Sequence, residues 1–113
     1  MPESNAIDSN TIASLKEIMG DAFSMLINTF TDDTGKLIHS LTELQQQNDL
    51  DVFTRNAHSI KSSSANVGAL QLSAIAAVLE ARGKNGDISN TSALIEKLST
   101  EFSHACDELN ALN

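Results

Sequence analysis

One interval limits this chain more than any other feature: apolar residues recur every three or four positions, and no proline interrupts them after Pro2. Phe23, Ile27, Phe30, Thr34, Leu37, Leu41 and Leu44 follow one another at steps of 4, 3, 4, 3, 4 and 3. Apart from Thr34, that is the apolar seam of a helix burying one side in a bundle. It predicts a helix over residues 21–47. Gly35 weakens it by about 1 kcal/mol relative to Ala, yet the seam keeps its register across the glycine, so one helix is expected. Leu50, Phe53, Ala57, Ile60, Ser64 and Val67 repeat the pattern behind Asp49, a good N-cap, and ahead of Gly68, a good left-handed stop.

Two further helices follow. Residues 69–84 are apolar almost all round (Leu70, Leu72, Ile75, Ala76, Val78, Leu79), which predicts a heavily covered position. Asn85-Gly86-Asp87 is a turn signal. Ile95, Leu98, Phe102, Ala105, Leu109 and Leu112 then form a seam over residues 90–112. At the other end, residues 1–10 are polar and are read as a flexible segment. Asp8, Ser9 or Asn10 caps a short helix carrying Ile12, Leu15, Ile18 and Met19, and Gly20 ends it. Short connections make neighbouring helices antiparallel. The expectation is an all-α fold: an up-and-down antiparallel four-helix bundle over residues 11–113, with a short extra N-terminal helix. No period-2 alternation calls for a sheet.

Several function classes drop out. With 7 Lys and Arg against 15 Asp and Glu, the net charge is −8, the wrong sign for binding nucleic acid. The apolar stretches are too interrupted to span a membrane. A single cysteine and a start without basic and apolar runs point to the cytoplasm rather than a secretory route. The five glycines form no phosphate-binding loop. A di-metal bundle needs two Glu-x-x-His pairs, and only Glu101 to His104 exists, so neither a metal nor another cofactor is expected. Cys106 lies near the last seam, with nothing to prepare it as a nucleophile. Asp32-Asp33 reads as a solvated face.

Three histidines remain. His39 lies between the seam residues Leu37 and Leu41, and His104 between Phe102 and Ala105, so both point outward as surface residues. His58 sits roughly 130° from the centre of its seam at 3.6 residues per turn. It is accessible on a helix that packing holds still. Lys61 and Ser62 are its next-turn neighbours, and no bulky residue follows to cover it. Geometry alone favours a plain solvated histidine.

The local string Ala57-His58-Ser59-Ile60-Lys61-Ser62-Ser63-Ser64-Ala65-Asn66-Val67-Gly68-Ala69 resembles the signature of histidine-containing phosphotransfer domains. His58, Lys61, Ser63, Asn66, Gly68 and Ala69 fall on family positions, and Leu79-Glu80 and Gly86-Asp87 match family habits further along. Ser62 stands where many members have Gly; it is small but narrows the approach to the histidine, which bears on partner choice.

The resemblance implies a phosphocarrier of a bacterial-type two-component phosphorelay. His58 would take a phosphoryl group on Nε2 from a receiver-domain aspartate and pass it to another receiver. Lys61 would balance the added charge, and Ser62 and Ser63 would donate hydrogen bonds. The partners implied are receiver domains of a hybrid sensor kinase or of response regulators. Mg²⁺ is expected only in the receiver, since Asp51 alone is a poor magnesium site. The chain itself would be a monomer and not an ATP-dependent kinase. Met19 and Met25 are candidates for the docking face, because methionine adapts to several partners; for Met25, packing against the short helix is the equal alternative. Met1 and the close follow of Asn113 on the last seam residue favour a free-standing protein over an excised module of a hybrid kinase. The rival class is a non-phosphorylated helical interaction module using the same face.

Overall fold

The structure, a computed structural model, describes residues 7–112. Five helices follow in order: α1 (Ser9–Met19), α2 (Ala22–Gln47), α3 (Leu50–Asn66), α4 (Leu70–Lys84) and α5 (Ser92–Leu112). Helices α2 to α5 pack in sequence order, α5 closes back on α2, and α1 lies against α2. The expected bundle with its extra helix is the architecture observed.

Local chemistry sets the ends. Asp8 accepts the Thr11 N–H at the start of α1, and Asp49 accepts the Val52 N–H at the start of α3. Gly20 stops α1 at φ 56°. Gly68 turns the corner between α3 and α4 at φ 79°, and its carbonyl accepts the Asp8 N–H at 2.7 Å. A Cβ on Gly68 would also meet Thr11 Cβ at 3.2 Å and the Asp8 carbonyl oxygen at 3.3 Å. The N-terminal helix is thus pinned to the corner that ends α3. Residues 1–6 of the expected flexible segment lie outside the described residues. Its last part is ordered: Ile7 is buried and α1 begins at Ser9.

The core runs the length of the bundle through Phe23, Ile27, Leu41, Phe53, Ile60, Leu79, Leu98 and Leu109. Gly35 does not break α2; it faces the Phe102 ring, which an added Cβ would touch at 3.5 Å. Ile38 rather than Leu37 carries the buried position beyond Gly35, and Leu112 ends partly exposed. The expectation for α4 fails on one side: Leu70 and Val78 are about half exposed. An all-round apolar helix packs against α3 and α5 and still leaves an outer flank.

Among the described residues, two hydroxyls are buried at helix seams without a protein partner, Thr34 Oγ1 and Ser64 Oγ. A buried hydroxyl costs more unpaired than a methyl of the same shape. Thr34→Val is therefore expected to raise stability by about 1 kcal/mol. Urea unfolding checks this, and a midpoint equal to or below wild type would contradict it.

Candidate functional site

Helix α3 presents its seam residues Phe53, Ala57, Ile60 and Ser64 to the core, which leaves His58 on the outer flank. The His58 side chain is 58% exposed, and its Nδ1 lies 2.8 Å from Glu80 Oε2 on α4. Lys61 Nζ lies 2.6 Å from the other oxygen, Glu80 Oε1, and Lys84 Nζ lies 3.4 Å from Oε2. Glu80 itself is only 6% exposed. One buried carboxylate therefore gathers the histidine and two ammonium groups.

Neighbouring contacts fix the frame. Ser73 on α4 donates to the Lys61 carbonyl at 2.9 Å, and Asn56 on α3 donates to Ser40 on α2 at 3.0 Å. Gly83, one turn past Glu80, allows α4 to close on α3: a Cβ there would collide with Thr54 Oγ1.

The electrostatics follow from the contacts. The hydrogen bond from Lys61 holds the Glu80 carboxyl down at about 2, against the upward push of burial and with help from His58 and Lys84. Glu80 is ionised in the folded chain and can only accept hydrogen bonds. The hydrogen of a neutral His58 ring therefore sits on Nδ1, and Nε2 keeps its lone pair. Nε2 has no partner among the described residues.

The same shift makes a pH prediction. A carboxyl lowered from 4.5 to about 2 stabilises the fold above pH 4.5, and that contribution is lost as pH falls through about 2. Glu80→Gln lacks this dependence. The stability gap between wild type and variant is expected to be full at pH 6, on the order of 1–2 kcal/mol allowing for solvent screening at the two ammonium groups, and to close towards pH 2. Denaturant titrations across that range measure it; a gap that does not change with pH would refute the assignment.

Lys61, one turn beyond His58 on α3, shares the Glu80 carboxylate with it. Ser62 is exposed and Ser63 half-buried, and neither side chain makes a hydrogen bond among the described residues. His39 and His104 are exposed on α2 and α5, away from this cluster, with His39 lining an open groove between those helices. Glu101 and His104 belong to no cluster: among the described residues, no three side chains come together that would hold a metal ion. Cys106 is half-buried 3.9 Å from Thr31 Oγ1, and burial pushes its thiol up, away from the reactive thiolate. Met25 and Ile18 are openly exposed, whereas Met19 is partly buried against the core. Packing against the short helix does not account for Met25. Among the described residues, no helix is long and apolar enough to cross a membrane.

Glu80 is the residue that sequence reasoning did not assign to the site. Its signal was present: it shares a helix face with Ala76 and Gly83, so a carboxylate stands at a core position.

Residues 25–112 match the family described as Hpt domain. The chain belongs to that family. The crystal structure of histidine-containing phosphotransfer protein B (HptB) from Pseudomonas aeruginosa PAO1 superposes on it with a TM-score of 0.90 at 30% identity, covering 96% of this chain and 95% of that one. No curated protein sequence matches the chain. This Hpt domain is a histidine phosphotransfer carrier of the phosphorelay type, built on the helical bundle its sequence led one to expect.

Proposed function

We propose that His58 is the phosphoryl-carrying residue, loaded from the aspartyl phosphate of one receiver domain and unloaded onto the aspartate of another. The observation that carries this reading is the Nδ1 to Glu80 contact at 2.8 Å on an otherwise exposed ring. The Nε2 lone pair attacks the phosphorus of the acyl phosphate. An N–P bond forms, the P–O bond to the receiver's carboxyl breaks, and the aspartate leaves with the electron pair. The ring then carries positive charge, which the Glu80 carboxylate offsets from the Nδ1 side. Onward transfer reverses each step.

The remaining parts fall into place around that step. Lys61 steadies Glu80 and so the ring. Ser62, one turn from His58, offers a hydroxyl to a phosphoryl oxygen; Ser63, half-buried, lies further aside. Mg²⁺ and the acidic pocket belong to the receiver, and transfer rests on alignment and charge stabilisation across a brief interface. ATP plays no part, since the chain has no phosphate-binding loop. Ile18 and Met25, exposed on adjoining helices, are the apolar contacts of the docking face, with Met19 behind them. The protein acts as a cytoplasmic monomer.

Mixing the protein with a phosphorylated receiver tests this. The expected product carries label that survives alkali, is lost in acid, and maps to the His58 peptide. A complex that forms with no transfer would instead identify a non-phosphorylated interaction module.

A further inference from the structure

Two ammonium groups meet one carboxylate in this site, which leaves a local excess of positive charge in a chain whose net charge is −8. The two are held differently. Lys61 is two-thirds covered and sits 2.6 Å from Oε1. Removing it would strand a buried carboxylate, which is costly. Lys84 is 67% exposed and sits 3.4 Å from Oε2, an oxygen that already accepts from His58. Its departure leaves Glu80 satisfied, and exposed ion pairs of this kind are weak. Lys84 occupies the last turn of α4, beside the groove lined by Asp51, Thr54 and Arg55. Among the described residues no further ion pair occupies it.

Resting on the carrier reading above, we propose that Lys84 is the mobile cation of the phosphorylated state: it leaves Glu80 and pairs with the phosphoryl oxygens on His58, while Lys61 stays to hold Glu80. Charge compensation thereby passes from the lysine on the histidine's own helix to one on the neighbouring helix. A purely structural role, such as favouring the C-terminal end of the α4 dipole, would not depend on phosphorylation.

The test loads His58 from phosphoramidate. Nε2 attacks its phosphorus, an N–P bond forms, the donor's P–N bond breaks, and ammonia leaves with the electron pair and a proton. The ³¹P resonance of the phosphohistidine is then titrated in wild type, Lys84→Gln and Lys84→Arg. A cation against the phosphoryl group favours its dianion. Lys84→Gln is expected to move the titration midpoint about half a pH unit upward at low salt. That difference should shrink in 1 M salt, where the Debye length is about 3 Å. Lys84→Arg should restore the wild-type midpoint. Equal midpoints in wild type and Lys84→Gln overturn the inference, as does an arginine variant that behaves like glutamine. A wild type that gives no resonance dependent on His58 would bring down the carrier reading, and this inference with it.

Discussion

His58→Gln is expected to abolish the alkali-stable label altogether while leaving thermal stability within about 0.5 kcal/mol of wild type. Both halves come from the same geometry. The ring is mostly exposed and fills no core space, so its removal opens no cavity. Glutamine keeps an amide N–H that can reach Glu80 Oε2, so the buried carboxylate is not left short of a donor. What disappears is a nitrogen lone pair facing solvent, and an amide nitrogen offers no substitute. Labelling with a phosphorylated receiver, together with a thermal melt, gives both measurements. Label persisting in the variant would transfer the role to His39 or His104, both exposed.

Gly68→Val is expected to cost about 3 kcal/mol or more, because two penalties coincide. At φ 79° a β-branched residue is forced into a region it avoids. The new side chain would also press on Thr11 and on the Asp8 carbonyl, and so displace the end of α1. A denaturation midpoint close to wild type would mean that the corner relaxes without strain. Gly68→Ala serves as the gentler comparison and should fall between the two.

The bundle was legible because each long helix buries one side. The seams of α2, α3 and α5 repeat at the helical interval, and Gly20, Asp49 and Gly68 mark ends by local chemistry. Helix α4 was harder to read, since a helix apolar on every side gives no hint of which flank lacks a partner; Leu70 and Val78 had to be seen. Ile7 was hidden for another reason. Its N–H reaches Glu108 and the neighbouring Asp8 N–H reaches the Gly68 carbonyl, both far along the chain, and no local preference anticipates such contacts. The site divides likewise. His58 and Lys61 share one short string, whereas Glu80 and Lys84 join them from another helix, where only tertiary packing sets the distance. The carboxylate at a core position was the clue, and it required knowing which helix lay opposite.

The Ser73 bond to the Lys61 carbonyl and the close approach at Gly83 both join α3 to α4, on either side of Glu80 along its helix. On the carrier reading proposed for His58, the smallest reactive unit is a hairpin of two helices, not a histidine peptide. An isolated fragment spanning α3 would carry the same imidazole with neither tautomer enforced, and should behave like free histidine towards a phosphodonor. Fraying of the last turns of α4 would act on the intact protein in the same way, so its reactivity should fall to that of free histidine at temperatures below those that melt the remaining helices.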